Sequence, residues 1–240
     1  MCAKPRIVAI DGPAGSGKST VCKQLAARLG FVLLDTGALY RAVALAARLA
    51  GVDWNREAAV VAVADRLVTD GELRLDVDPE ARQSAGGTKV VLGGHDVSSQ
   101  IRKPEISMGA SRVSAYGGVR DALLELQRQL GTPSGSDRAG VVAEGRDIGT
   151  VVFPDAPVKF FLTASLEVRA QRRQAELDQK GESIDFEQTL KEVALRDEQD
   201  RSRKVAPLKQ AADARVVDST GKTIDEVVAE MQRVVEDVLG

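Results

Sequence analysis

Short apolar runs recur along the chain and alternate with longer segments that mix apolar and polar residues. The runs have the length of buried strands, whereas the longer segments repeat apolar residues every three or four positions, which indicates helices. Because parallel strands need a crossover connection, this alternation predicts an α/β fold, a five-stranded parallel sheet with helices on both faces. The predicted strands are residues 7–10, 31–34, 141–143, 158–162 and 216–217.

Helices are predicted in the segments that separate and follow these strands. Gly51 closes the second helix, a break occurs near Gly181 in the fourth, and Pro207 ends the fourth because proline cannot continue a helix. The predicted helices are residues 19–29, 39–50, 119–130, 166–204 and 224–239.

The alternation of strands and helices is interrupted between residues 70 and 95. Leu73, Leu75 and Val77 alternate with polar residues, and residues 90–92 form a second apolar run after a stretch of turn residues. A period of two is typical of strands that bury one face. The pattern predicts a small antiparallel β insertion here.

Composition narrows the class of protein. The chain has 240 residues, 33 Lys or Arg against 35 Asp or Glu, and 43% hydrophobic residues, enough for one large domain with small insertions. A net charge of −2 argues against a general nucleic-acid binder, because phosphate-backbone affinity needs excess positive charge.

Location and assembly are predicted from what the chain lacks. It has two cysteines, no run of about 20 apolar residues and no large unexplained apolar stripe. The sequence therefore predicts a cytoplasmic protein with no membrane span and a monomeric state.

A phosphate-binding motif follows the first predicted strand and opens the first predicted helix. The segment GPAGSGKS, from Gly12 to Ser19, matches G-x-x-x-x-G-K-[ST]. Inward-facing backbone N–H groups and the helix N-terminus favour phosphate, Lys18 can reach the β- and γ-phosphates, and Ser19 would ligate Mg²⁺. A nucleoside triphosphate is the expected ligand. The predicted cradle comprises Gly12, Pro13, Ala14, Gly15, Ser16, Gly17, Lys18, Ser19 and Thr20.

The loop alone does not separate a kinase from a GTPase or an ATPase motor. The N-K-x-D run that reads guanine in GTPases is absent from the sequence, which weakens the GTPase hypothesis. The sequence therefore needs a second group of residues to indicate what receives the phosphate.

Arginines at helical spacing supply that second group. Arg169, Arg172 and Arg173 share one helix face, and Arg196 and Arg203 are two turns apart. Such residues can be solvated surface ion pairs, or they can neutralise the charge spread over a transferring phosphoryl group. Their abundance favours a phosphate acceptor, which is already anionic, over a hydroxyl, which would need a base.

Taken together, these motifs closely resemble those of the bacterial cytidylate kinases, which transfer a phosphate from ATP to CMP or dCMP. The resemblance implies one P-loop kinase unit over residues 1–240, with a nucleoside-monophosphate-binding region at 36–120 that includes the β insertion, and a helical lid at 169–185. The matching segments are IDGPAGSGKST (10–20), LLDTGALYR (33–41), DVSSQIR (96–102), EGRDIGTVVFPDAPVKFFL (144–162), RAQRR (169–173) and RDEQDRSRKVAPL (196–208).

The resemblance also implies roles for individual residues. Cytosine presents an amino donor beside two acceptors, so a carboxylate paired with a guanidinium complements its edge. By resemblance, the catalytic residues are Lys18, Arg169, Arg173 and Arg203. The residues that would hold the acceptor phosphate and ribose are Thr36, Arg41, Arg196, Asp200 and Arg203. The residues that would read cytosine are Ser111, Arg120 and Asp147. Mg²⁺ with ATP is the implied cofactor, and Asp35 is a candidate for ordering one of its waters.

Two alternatives stay open at this point. The first is a P-loop kinase for another small acceptor, such as UMP, a nucleoside or a sugar acid, with Asp35 or Glu144 as the base. The second is a regulatory module that holds ATP without productive transfer.

Overall fold

The computed structural model describes residues 6–77, 88–131, 140–179, 181 and 184–240. Strands and helices alternate through most of these ranges. The strands are β1 (Ile7–Asp11), β2 (Val32–Asp35), β3 (Leu73–Val77), β4 (Thr88–Leu92), β5 (His95–Asp96), β6 (Val141–Gly145), β7 (Val158–Thr163) and β8 (Arg215–Asp218). The helices are α1 (Lys18–Leu29), α2 (Thr36–Leu49), α3 (Glu57–Thr69), α4 (Pro104–Val113), α5 (Gly117–Gly131), α6 (Leu166–Gln179), α7 (Phe186–Ser202) and α8 (Ile224–Leu239).

The larger sheet has five parallel strands in the order β2-β6-β1-β7-β8. At its carboxyl edge Asp11 is in register with Gly145, and Asp35 is in register with Glu144. Parallel strands all end at one edge of their sheet, so the polar residues that follow them collect there. The predicted α/β fold is confirmed, and this edge is where a site is expected.

Two apolar cores lie on opposite faces of this sheet. Ile7 and Ala9 belong to the core that contains residues of α2, α3, α4 and α5, whereas Val8 and Ile10 belong to the core with α1 and α8. Neighbouring residues of β1 alternate between the two cores because successive side chains of a strand point to opposite faces of the sheet. Burial on both faces explains why β1 is apolar throughout until Asp11.

The β insertion is a three-stranded antiparallel sheet in the order β3-β4-β5. Leu73 pairs with Leu92, and Leu75 pairs with Val90. These four side chains join the core on the α2 face of the large sheet. The predicted insertion is confirmed, while the loop predicted between its strands includes residues 78–87, which lie outside the described residues.

The helix predictions agree with the structure where the periodic apolar pattern extends over many residues. The segment predicted over 166–204 with a break near Gly181 is the pair α6 and α7, and α7 begins at the N-cap Asp185, whose carboxylate accepts from the backbone N–H of Glu187. Helices α3 and α4 were not predicted. Among the described residues, no helix is long and apolar enough to span a membrane.

The start of α8 yields a stability prediction. The Thr223 hydroxyl accepts from the N–H of Glu226, and the Glu226 carboxylate accepts from the N–H of Thr223, a reciprocal capping box. We expect Thr223→Ala to lower the free energy of unfolding by about 1 kcal/mol in chemical denaturation. The exposed Arg233→Ala on the same helix is the control, with a change within about 0.5 kcal/mol. Equal losses in both variants would contradict the capping role.

Candidate active site

The turn between β1 and α1 has the geometry of a phosphate-binding loop. Gly12 and Gly15 both have positive φ, at 154° and 73°. A side chain at Gly12 would overlap the carbonyl oxygen of Leu162 in β7, and one at Gly15 would lie 2.9 Å from the carbonyl oxygen of Arg169. Glycine is needed at both positions because the turn is pressed against β7 and α6.

Lys18 lies over this loop rather than in solvent. Its Nζ donates to the carbonyl oxygen of Pro13 at 2.7 Å and to Ser16 Oγ at 3.3 Å, and only 6% of the residue is exposed. Burial, with a smaller contribution from the positive charge of Arg146, lowers the pKa of Lys18 to about 7. An anion bound in the loop would favour the charged ammonium.

Ser19, the next residue, points toward two carboxylates at the ends of β2 and β6. Its hydroxyl donates to Glu144 Oε2 at 2.9 Å. Burial, followed by the negative charge of Asp35, raises the pKa of Glu144 to about 7. The loop therefore meets a cluster of hydroxyl and carboxylate oxygens beside the first turn of α1. Thr20, also in the predicted cradle, is exposed.

Two arginines of α6 hold the loop from its other side. Arg169 Nη1 donates to the carbonyl oxygen of Ala14 at 3.1 Å, and Arg172 Nη1 donates to that of Ser16 at 3.2 Å. Arg169 is 4% exposed and forms an ion pair with Asp197 of α7 at 2.6 Å. Helices α6 and α7 are thus connected directly to the backbone of the loop.

Arg173 differs from its two neighbours on α6. It is half-buried, and its Nη1 lies 3.2 Å from Glu176 on the same helix. Its positive charge is one of the smaller causes that lower the pKa of Arg196 of α7, so the two guanidinium groups lie within electrostatic range of each other. Arg173 is the one of the three predicted α6 arginines whose guanidinium makes no described hydrogen bond to the loop backbone.

A cluster of arginines forms the opposite side of the cleft. Arg146, just after β6, donates from Nε to Asp200 of α7 at 2.9 Å, and Arg203 lies 3.6 Å from the same carboxylate. Despite its burial, Asp200 has a lowered pKa because of the charges of Arg146, Arg203 and Arg196. Arg196 as a residue is exposed, but desolvation by the protein around its guanidinium, followed by the charge of Arg146, lowers its pKa to about 10. It therefore stays charged at neutral pH.

The start of α2 adds the last cation to this cluster. Asp35 caps the helix by accepting from the N–H of Ala38, and its other oxygen lies 2.5 Å from Arg41 Nη2. The hydroxyl of the buried Thr36 donates to the carbonyl oxygen of Glu144 at 2.8 Å. The charge of Arg41 also acts on Arg196, so predicted acceptor residues of α2 and α7 lie within electrostatic range of one another.

Unpartnered polar atoms identify what this cleft lacks. Among the described residues, three buried side-chain atoms have no hydrogen-bond partner, and two of them are the Nε atoms of Arg41 and Arg203. Buried donors without partners are rare and call for a ligand or water. The cluster contains more guanidinium groups than carboxylates, so an anion with several oxygens fits the cleft. Its guanidinium groups are those of Arg41, Arg146, Arg196 and Arg203, and its carboxylates are those of Asp35 and Asp200.

Beside this cleft lies the predicted base-reading pair. Arg120 of α5 and Asp147 form a short ion pair, each side chain only 7% exposed. Arg120 also donates to the carbonyl oxygen of Ser114 at 3.1 Å and stacks on the ring of Tyr40, 5.2 Å from its centroid. Ser111 is connected to this group because its carbonyl oxygen accepts from the Ser114 hydroxyl.

Contacts in the structure link predicted residues within the loop, the arginine cluster and the base-reading pair, and add three residues outside the predicted cytidylate kinase site, of which Glu144 was predicted only as a base for another acceptor. Arg146 joins the arginine cluster, Glu144 accepts from Ser19, and Tyr40 supports Arg120. A signal for the first two existed, since both lie in the EGRD segment at the end of a predicted strand. Tyr40 gave little signal because it lies in an Ala- and Leu-rich helix that indicates only core.

Comparison with known proteins shows the family of this chain. A family model described as cytidylate kinase matches residues 8–237. The chain belongs to the cytidylate kinase family. This confirms the resemblance stated from its motifs.

Relatives within the cytidylate kinase family match over almost their whole length. The chain is 49% identical over 234 residues to the cytidylate kinase of Aeromonas salmonicida, covering 98% of this chain and 95% of the relative. It is 48% identical to that of Geobacter sp. strain M21, covering 97% and 94%. A crystal structure of an uncharacterized protein from Eubacterium ventriosum has a TM-score of 0.50 at 12% identity, covering 96% of this chain and 98% of that one, which bears on the fold alone.

The contacts of Arg169 yield a stability prediction. Arg169→Met leaves the Asp197 carboxylate buried and unpaired, and we expect it to lower the free energy of unfolding by about 3 kcal/mol. The double variant with Asp197→Leu should lose less, because no charge stays buried.

Chemical denaturation of the single and double variants checks this. Arg173→Met, whose ion pair is partly exposed, is the control and should lose less than about 1 kcal/mol. A double variant less stable than Arg169→Met would show that the pair is not coupled in this way.

Proposed function

We propose that the protein transfers the γ-phosphate of ATP to CMP or dCMP, giving ADP and CDP or dCDP. The observation that carries the proposal is the arginine cleft, which faces the phosphate-binding loop and adjoins the buried Arg120–Asp147 pair. A loop for one phosphate chain, a cationic cleft for a second anion and a polar pair for a base are what this reaction requires. Membership of the cytidylate kinase family supports the same acceptor.

The donor phosphates would lie in the loop from Gly12 to Thr20. Its backbone N–H groups and the N-terminus of α1 attract the triphosphate, and Lys18 exchanges its bond to Pro13 for phosphate oxygens. The cost of this exchange is small because the ammonium already lies within the loop. Arg172 and Arg169 keep the loop backbone in shape by holding its carbonyl groups.

The oxygen cluster beside α1 fits Mg²⁺. Ser19 supplies a hydroxyl, while Glu144 and Asp35 supply carboxylate oxygens suited to a hard cation and its waters. Among the described residues, no group of three or more His, Cys, Asp or Glu side chains is arranged as a metal site, so we propose that Mg²⁺ arrives with ATP. When bound, the cation offsets the negative charge of the triphosphate.

The acceptor phosphate would lie among Thr36, Arg41, Arg146, Arg196 and Arg203. Two anions must approach each other for transfer, so the guanidinium groups oppose their repulsion and align the attacking oxygen. The unpartnered Nε atoms of Arg41 and Arg203 are the donors available for this. A phosphate oxygen is already a nucleophile and needs no general base. Asp200 lies at the cleft's edge, where it orders Arg146 and can meet the ribose.

Base selection would depend on the Arg120–Asp147 pair, with Ser111 near it. The carboxylate accepts from the amino group of cytosine and the guanidinium donates to its ring acceptors. Uracil has a carbonyl where cytosine has the amino group, so it would leave buried polar groups unpaired. Stacking on Tyr40 holds Arg120 in the plane needed.

The lid predicted at 169–185 would comprise most of α6 and the connection that leads to α7; residues 180, 182 and 183 lie outside the described residues. We propose that Arg173 moves toward the transferring phosphate, because it is half-buried and its charge already acts on Arg196. Arg169 has contacts that make it a brace for the loop; its catalytic role stays a prediction, as does that of Arg203. Closure would exclude water and limit ATP hydrolysis.

The alternative acceptors are less well supported. A hydroxyl acceptor would need a free base, yet Asp35 is held by Arg41 and by the N-terminus of α2, while Glu144 is held by Ser19. A regulatory module without transfer would have no use for the arginine cleft. A cytoplasmic monomer remains our proposal for location and assembly.

Asp147→Asn tests the proposed specificity. The asparagine amide keeps the shape of the carboxylate, but its NH2 group is a hydrogen-bond donor toward the carbonyl group of uracil and toward the Arg120 guanidinium. We therefore expect the preference for CMP over UMP to narrow by about tenfold. The ratio of kcat/KM for CMP and UMP measures this. Asp155→Asn, an exposed carboxylate after the same segment, is the matched control and should keep the wild-type ratio. An unchanged ratio in Asp147→Asn would remove that residue from base reading.

A further inference from the structure

Asp11, the last residue of β1, is a buried carboxylate that the proposed mechanism does not use. It lies directly before the phosphate-binding loop and is 4% exposed. Its Oδ1 accepts from the backbone N–H of Ile148 and its Oδ2 from that of Gly149, both at 2.8 Å. Both oxygens therefore bind the segment that follows β6.

The segment that Asp11 holds begins immediately after the base-reading carboxylate. Residues Ile148–Val152 form a single π-helical turn, and Asp147 is its N-cap. The carbonyl oxygen of Asp147 accepts from the N–H groups of Val151 and Val152. The first N–H groups of such a turn have no acceptor within the turn. Asp11, which belongs to β1, supplies an acceptor oxygen to each of two of them. The two residues that follow Asp147 are thereby fixed to the end of β1.

A carboxylate is chemically suited to this position although it is costly there. Two N–H donors need two acceptor oxygens, and an ionised carboxylate offers only acceptors. Burial, partly offset by these two bonds and increased by the charge of Asp147, raises the pKa of Asp11 to about 6. Asp11 is buried although the charge of Asp147 is nearby, which costs stability. This cost indicates that Asp11 serves to position the turn that it binds.

We propose that Asp11 is a positioning residue for base selection: by fixing the turn after Asp147, it sets the carboxylate that reads the base relative to the phosphate-binding loop. This inference rests on the proposed function. It also connects the donor and acceptor sides of the site through one side chain, because Gly12 follows Asp11 and Asp147 precedes the turn.

Two substitutions of Asp11 test the proposal. Asp11→Asn replaces one acceptor with a donor that faces a backbone N–H, and Asp11→Glu keeps the charge and both oxygens but displaces them by one methylene. We expect each to lower the CMP-to-UMP ratio of kcat/KM by about five- to tenfold, since one charge-assisted hydrogen bond is lost or misplaced. The KM for CMP should rise more than the KM for ATP.

Arg128→Met is the matched control. Arg128 of α5 donates to the carbonyl oxygens of Val151 and Val152, so it holds the far end of the same turn. We expect this variant to keep the wild-type ratio. If the ratio stays unchanged in the Asp11 variants, or if Arg128→Met lowers it equally, Asp11 has only a structural role. A wild-type enzyme that does not prefer CMP would instead refute the proposed base reading.

Hydrogen exchange of the wild-type protein provides a readout that does not depend on the variants folding. CMP should slow exchange at the amides of Ile148 and Gly149 more than UMP does at equal saturation, because a base held by Asp147 stabilises the turn. Equal protection by both nucleotides would overturn the proposal.

Discussion

The pairing of β1 with β6 on one side and β7 on the other is the constraint on which the site depends. It places the phosphate-binding loop between the end of β6 and the helix after β7. Glu144 is the penultimate residue of β6, Arg146 and Asp147 follow that strand, and α6 carries Arg169. A shift in register would separate Ser19 from Glu144 and Ala14 from Arg169 at once. Donor and acceptor sides therefore form together when the central strand is in place.

Electrostatic balance is the second requirement of the arrangement. The cleft collects four guanidinium groups, and Asp35 and Asp200 keep it ordered without neutralising it. Desolvation and, after it, the charge of Arg146 lower the pKa of Arg196, so the charged guanidinium is disfavoured until an anion binds beside it.

The sequence predicted those parts of the site that local spacing determines. The loop from Gly12 to Ser19 was found because its turn, its lysine and its helix start are contiguous. The buried residues Val60, Val63, Ala64 and Leu67 of α3 and Ile106, Gly109, Ala110 and Val113 of α4 both have helical spacing. In α4 this signal is weak in the sequence because the helix has only 10 residues and two of the four buried positions are the small residues glycine and alanine. Contacts such as Arg169 with Ala14 and Asp11 with Ile148, separated by 155 and 137 residues, depend on strand order and could not be predicted from spacing.

The most direct measurement is ADP formation from ATP and Mg²⁺ with CMP, dCMP, UMP, AMP and GMP presented separately, beside a reaction without acceptor. A phosphate-accepting cleft next to a cytosine-reading pair predicts turnover mainly with CMP and dCMP and little ADP without acceptor. Equal turnover with UMP would contradict the role of Arg120 and Asp147. Absence of turnover with all five nucleotides would contradict the proposed acceptor class.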